Sequence, residues 1–318
     1  MISTNIQTRE KRERIEKMAV SQKKRRGNLT PYLFISPWII GFVAFTLGPL
    51  LFSFAISFFD YPIVGTPQFI GFDNYVQMFT NDPIFWESLG VTFKFAAILV
   101  PLNILISLLL ALLLHQNVGG SSWYRTIFYL PTVIAGVSLS LIWAWVYDGE
   151  YGLLNYILSW LGIEGPRWLS DPEWSLFAIV FAGLWGQGVM MLVFLSGLKN
   201  IPKELYEAAE IDGAGVFSKF FSITLPMLSP TMLFNLITAV ISAFQQLTFA
   251  LVITKGGPLR STYFYAMYVY ENAFRYFKMG YSAANAWFMF LIILSLTFVL
   301  FKTSKTWVYN ENERKGKK

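Results

Sequence analysis

Two sets of side chains carry the chemistry this sequence offers, and neither is a catalytic set. The first lies inside apolar runs: Trp185-Gly186-Gln187-Gly188, then Asn235, Ser242, Gln245 and Gln246. Polar groups in such runs are costly, so each needs a reason. Asn235, Ser242 and Gln246 can share one helix face, because 3.6 residues make a turn. Amides and hydroxyls beside an indole suit a sugar, whose hydroxyls take hydrogen bonds and whose apolar face takes stacking. The same amides can instead bond from helix to helix, at about 0.6 kcal/mol each.

The second set is a loop, 199–230, that is rich in both charge and aromatics. Pro202 suits a first helical turn, with Lys203, Glu204, Glu207, Ala208 and Ala209 as good helix formers behind it. Gly213, just after Glu210-Ile211-Asp212, is placed to end that helix in a left-handed cap. Phe217, Phe220, Phe221 and Leu225 then form an apolar stripe that stops at Pro226. The spacing predicts two short helices hinged at a glycine and lying across a membrane face. Carboxylates beside an apolar face suit docking into a groove on another protein; a plain surface loop is the alternative.

Several chemistries are excluded or unsupported. The chain has no cysteine and one histidine, His115, so disulfides, thiolate metal sites and thiol nucleophiles are out. No phosphate-loop glycine-lysine motif occurs, so the chain is not its own ATPase by that route. No His and Glu cluster has metal-ligand spacing, and neither metal nor cofactor is expected on this chain. The apolar runs carry no deep carboxylate, against a proton relay.

The elements that must position these residues are membrane spans. Apolar residues are 55% of the chain and charged ones 14%, and a soluble fold could not bury that much apolar surface. Charge-free stretches of about 20 residues, the length needed to cross the hydrocarbon core, place helices near 32–59, 91–114, 126–147, 175–198, 231–253 and 283–301. The expected class is all-α: a polytopic membrane protein with six transmembrane helices at 32–301. Basic tails flank it at 1–31 and 302–318.

With both termini cytoplasmic, inner segments hold nineteen Lys and Arg and outer ones five. That bias supports the assignment and puts 199–230 inside. The net charge of +6 therefore encodes orientation and not nucleic-acid binding. The first apolar run is too long and begins too late for a cleavable signal. Arg9–Arg26 reads as a charged stretch with helical potential, either a solvated orientation signal or a lipid contact. Pro37, Gly41, Gly48, Pro49, Pro101, Pro131 and Gly136 are expected to kink their spans without breaking them. Lys94 is expected to snorkel to the outer headgroups, with contact to an anionic substrate as the alternative.

Glu207-Ala208-Ala209, then Gly213, then Ile223-x-Leu225-Pro226 resembles the EAA loop of ABC importer permeases. Other segments resemble that family's carbohydrate branch, the maltose-permease-like kind. They are Ser36-Pro37-Trp38-Ile39-Ile40-Gly41-Phe42, Phe69-Ile70-Gly71-Phe72-Asp73-Asn74-Tyr75, Arg125–Pro131, Trp143, Gly152-Leu153-Leu154-Asn155, Gly256-Gly257-Pro258 and Gly280–Ala284. Lys255 departs from the branch, which often has glycine there.

The resemblance implies a type I ABC importer permease fold and an inner-membrane location. It also implies partners: a second permease subunit, two ATP-binding cassette subunits that carry the ATP and magnesium, an extracytoplasmic solute-binding protein, and a sugar. Glu207 would contact the ATPase together with neighbouring Asp212. Ala208 and Ala209 would permit close packing, Gly213 would be the hinge, and Pro226 would start the next span. Trp185, Gly186 and Gln246 would match the family's sugar site. Ala182, Val189 and Ala243 stand where the maltose permease is polar or aromatic, which argues against maltose itself. A stand-alone secondary transporter or facilitator is the rival reading.

Overall fold

The computed structural model describes residues 30–116 and 119–309. The tail up to Asn28-Leu29, with the expected charged stretch Arg9–Arg26, lies outside the described residues, as does the chain beyond Tyr309. Contacts divide the chain into one unit ending at Ala55 and a second beginning at Ile56.

The first unit is a single apolar helix in three pieces. Helix α1 (Thr30–Phe42) leads through a wide π turn (Val43–Leu47) into α2 (Gly48–Ile56). The wide turn lies just before Pro49, which has no N–H to give to the preceding turn. At that point Gly48 N–H reaches back to the Val43 carbonyl. Pro37 is accommodated inside α1 as expected.

The second unit opens with a short antiparallel pair, β1 (Phe59–Asp60) with β2 (Gln68–Phe69), and then α3 (Asp73–Thr80). Next come α4 (Pro83–His115), α5 (Ser121–Val133), α6 (Gly136–Val146) and α7 (Leu153–Trp160). These are followed by α8 (Pro172–Leu184), α9 (Gly188–Lys199), α10 (Lys203–Ile211) and α11 (Val216–Lys219). A π turn (Phe220–Thr224) joins α11 to α12 (Leu225–Phe244), and another (Ala250–Thr254) precedes α13 (Tyr265–Phe274) and α14 (Met279–Trp307).

Among the described residues, four uninterrupted helices are long and apolar enough to cross a membrane: Pro31–Ile56, Pro83–His115, Val216–Phe244 and Met279–Trp307. Two bent pairs, α5 with α6 and α8 with α9, bring the total to the six expected. The core has two parts: a larger cluster including Phe85, Phe95, Trp143, Ile179, Phe244 and Tyr265, and a smaller one where α4 packs on α9 and α12. There Leu108, Ala111 and Leu114 meet Phe194, Leu195, Leu198 and Leu228.

Several boundaries depart from the sequence reading for physical reasons. Helix α4 begins at Pro83, not near 91. Asp82 Oδ1 accepts from Ile84 and Phe85 N–H at 3.0 and 3.2 Å, with proline at the first helical position. Helix α14 runs on to Trp307, past Lys302 and Lys305, so the expected tail at 302–318 starts inside a helix. Cations suit a last helical turn. Pro101 stays inside α4, yet Pro131 and Gly136 mark a 99° break and not a kink. Ile134 and Ala135 there are extended, with ψ of 132° and 134°. Lys94 is exposed on α4, about three turns beyond Pro83. Lys255 takes a left-handed conformation, φ 53°, where the resembled branch often has glycine.

Asp82 also ties three elements together. Its Oδ2 accepts hydrogen bonds from the hydroxyls of Tyr268 on α13 and Tyr281 on α14. Replacing it removes a helix cap and leaves two phenols without their acceptor. Asp82→Ala should therefore lower unfolding stability by about 3 kcal/mol, read as a fall in the thermal midpoint of the purified protein. Asp82→Asn, which keeps an acceptor oxygen, should lose clearly less.

Candidate functional site

The fourth span breaks at Trp185-Gly186-Gln187, and the break creates the site. Helices α8 and α9 meet at 49°. A break inside apolar surroundings frees a carbonyl that must find another donor. The Gly183 carbonyl would, in an unbroken helix, take the backbone N–H of Gln187. Instead the Gln187 side chain folds back, and its Nε2 donates to Gly183 O at 3.0 Å.

The same amide links two spans. Gln187 Nε2 donates to Asn103 Oδ1 at 2.7 Å, and Ser107 Oγ donates to Gln187 Oε1 at 3.2 Å, both partners lying on α4. Gln187, Asn103 and Ser107 are all buried. Asn235, which is 1% exposed, donates from Nδ2 to the Met190 carbonyl at 3.2 Å. For Gln187 and Asn235, then, helix-to-helix bonding is what the geometry shows.

Gly188 fixes how close α9 comes to α5. A Cβ there would stand 2.6 Å from the Phe128 carbonyl oxygen and 2.7 Å from Tyr129 Cα, both backbone atoms. Only glycine fits without moving one helix away from the other.

Beside this network is a cavity of about 430 Å³. Asn103, Gly186, Gln187, Asn235, Ser242 and Gln246 line it, with Thr238, Val189 and apolar side chains of α4, α9 and α12. Ser242 and Gln246 make no side-chain hydrogen bond among the described residues, so their polar groups are available to the cavity. Asn235, Ser242 and Gln246 therefore line one cavity, but not as one helix face. Helix α12 ends at Phe244, so Gln246 reaches the cavity from the turn after the helix.

Two sequence candidates do not line the cavity. Trp185 is 57% exposed and packs edge-on against Trp143, with ring centroids 5.8 Å apart. Gln245 caps the end of α12 with its backbone N–H and exposes its side chain. Sequence reasoning missed Asn103, Ser107 and Thr238. Asn103 and Ser107, one turn apart in an apolar span, carried the same signal that singled out Gln187.

The second candidate site is α10 and its neighbours. Pro202 sits at the cap position with ψ 133°, one residue earlier than expected. The C-terminus closes with two bonds: Gly213 N–H to Glu210 O at 3.0 Å and Ala214 N–H to Ala209 O at 2.8 Å. These are the paired bonds of a Schellman cap, and Gly213 takes φ +75° as such a cap requires. Glu207, Ala208, Asp212 and Gly213 are exposed; Ala209 and Pro226 are half-buried. Tyr206 hydroxyl lies 2.9 Å from Thr224 Oγ1, and Lys219 pairs with Glu210 at 2.7 Å.

One expectation about this segment is corrected. The second short helix is not separate, because α11, the π turn and α12 form one helix, Val216–Phe244. Pro226 is therefore inside a continuous helix and does not start it. The wide turn makes this possible: Leu225 N–H reaches the Phe220 carbonyl five residues back, opening room for the ring that follows.

A broken-helix membrane bundle with a loop helix at one end is the fold of binding-protein-dependent importer permeases. The chain aligns with a solved bacterial ABC transporter involved in importing the acidic polysaccharide alginate, with TM-score 0.75 and 22% identity. That alignment covers 89% of this chain and 98% of the other. The family described as "Binding-protein-dependent transport system inner membrane component" matches residues 103–308, and the chain belongs to it.

Among curated relatives, "Probable ABC transporter permease protein YesP" of Bacillus subtilis is 43% identical, over 93% of this chain and 97% of its own length. The trehalose/maltose transport system permease MalF of Thermococcus litoralis is 34% identical over 90% and 97%.

The site separates residues that hold the fold from residues that face the cavity. Gln187→Leu strands Asn103, Ser107 and the Gly183 carbonyl, and should cost about 1–3 kcal/mol in thermal unfolding of the detergent-solubilised protein. Ser242→Ala should leave the midpoint within about 0.5 kcal/mol of the parent.

Proposed function

We propose that this chain is the sugar-conducting permease subunit of an ATP-driven importer, paired with a second permease and driven by two ATPase subunits through α10. The observation that carries the reading is the exposed composition of that segment. Near Glu207 and Asp212 stand side chains that a free surface would not favour: Ile211 at the end of α10 is 88% exposed, and Val216 and Phe217 at the start of α11 are 78% and 81% exposed. An acid-edged apolar helix suits a groove on a partner. Nucleotide-driven closure of that partner is the motion to be transmitted.

The transmission route is short. Tyr206 ties α10 to Thr224, in the π turn of the long helix that ends beside the cavity. A rigid helix from Val216 to Ser242 spans about 39 Å, at 1.5 Å per residue. A displacement at the docking end therefore reaches the cavity wall as a movement of the whole rod.

The cargo is a sugar in this reading because the lining supplies amides, hydroxyls and small residues and no ionisable group. Relatives named for trehalose/maltose, arabinooligosaccharides and lactose agree with that chemistry. The lysine and arginine bias supports a cytoplasmic side for α10 and both termini, with the binding protein delivering sugar to the opposite side. ATP and magnesium belong to the partner subunits.

In proteoliposomes containing the whole transporter, Gly213→Pro should abolish sugar uptake, because proline cannot adopt φ +75°. Glu207→Lys should release the ATPase during purification or leave ATP hydrolysis running without uptake. Uptake at the parent rate by both variants, or parent uptake that persists without ATP, would remove α10 from the mechanism. Gln246→Ala should weaken the apparent affinity for the transported sugar while leaving the thermal midpoint unchanged.

A further inference from the structure

Helix α7 presents its apolar side away from the protein. Leu153, Tyr156, Ile157, Trp160 and Leu161 follow the i, i+3, i+4, i+7, i+8 spacing of one helix face. All five are exposed, from 42% at Leu153 to 74% at Trp160. The opposite side is committed inward. Leu154 packs against the core, and Asn155 holds the surrounding loop through the carbonyls of Gly149 and Pro166, at 3.1 and 3.3 Å, and the Trp168 indole, at 2.7 Å. The helix is thus clamped with its apolar stripe outward.

We infer that α7 is an interfacial anchor whose Leu153, Tyr156, Ile157, Trp160 and Leu161 face lies in the headgroup and upper acyl zone of the bilayer. Three observations select lipid as the occupant. First, the helix, LLNYILSW, carries no acidic or basic side chain, so it offers nothing for charge-matched recognition of a soluble partner. Second, its large exposed groups are a Trp and a Tyr among aliphatics, the residues that settle at the membrane–water boundary. Third, the span before it exposes apolar side chains of the same kind: Leu141, Ile142 and Trp145 on α6 are 50–58% exposed, and six residues after Val146 lead to α7.

The turn itself is held off the membrane by charge. Asp148 Oδ1 accepts from Tyr151 and Glu150 N–H at 2.8 and 3.0 Å, and those bonds keep its carboxyl below the ordinary range. Asp148 and Glu150 stay in water, where both are exposed, and the chain then returns to the bilayer surface with Leu153. An anchor of this kind would fix the level at which the broken span α5–α6 leaves the membrane.

The absence of cysteine makes the test direct. Nitroxides are placed singly by Ile157→Cys, Trp160→Cys and, as the inward reference, Leu158→Cys, in the full transporter reconstituted in phospholipid nanodiscs. The signal of the unsubstituted complex, treated alike, is subtracted. At 157 and 160, collisions with oxygen should exceed those with a water-soluble nickel chelate; Glu164→Cys should show the reverse. Chelate collisions dominating at 157 and 160 would overturn the proposal in favour of a water-exposed face. Low accessibility to both reagents would also overturn it, by showing a protein partner over the stripe. Uptake by each labelled variant, measured in parallel, separates a failure of the anchor from a failure of the transport reading.

Discussion

Inside lipid every backbone carbonyl needs a donor, and this chain bends its spans where it can still supply one. The break between α8 and α9 depends on Gln187. Its side-chain nitrogen takes the place of the backbone N–H that Gly183 has lost, and the same nitrogen reaches Asn103 on the neighbouring span. Repair and cross-linking are thus one interaction. Because the repair uses a polar side chain, the cavity lies where amides are already gathered. The apolar contacts of Leu108, Phe194 and Leu195 hold the same two helices, α4 and α9, together.

The other end of the bundle works by different means. Helix α10 is held by its termini, the Tyr206–Thr224 hydroxyl contact and the Glu210–Lys219 ion pair, while its outward face stays unburied. A Schellman cap at Gly213 turns the chain sharply and releases it into a single rod leading back through the apolar layer. Local stiffness in the rod and a defined corner before it are what a mechanical linkage needs. Both arise from backbone hydrogen bonding, with little contribution from side-chain packing on α10 itself.

Much of this was legible in the residues. Six charge-free runs fixed the number of spans, since length and apolarity are what crossing a bilayer demands. Gly213 was readable as a left-handed cap because a helix-forming run stops just before it. What hydropathy cannot register is direction: a span that bends by 99° is as apolar as a straight one, so Pro131 was equally compatible with a kink. The charge-free criterion also hid the true start of α4. Lys94 and then Glu87 interrupted the run, although Asp82-Pro83 spelled a helix beginning. Asn103 and Ser107 bore the same mark as Gln187, yet only their contact across two spans gives them meaning.

The π turn at Phe220–Thr224 has an angular consequence. Eleven residues are about three turns of a regular α-helix, so Phe217 and Leu228 would ordinarily point the same way. The surplus residue in a wide turn rotates everything beyond it by about 100°. Phe217 is accordingly 81% exposed while Leu228 is fully enclosed. One rod can therefore show an apolar flank to a neighbour at its loop end and bury a different flank in its own bundle. A single continuous element serves two surroundings without twisting its axis.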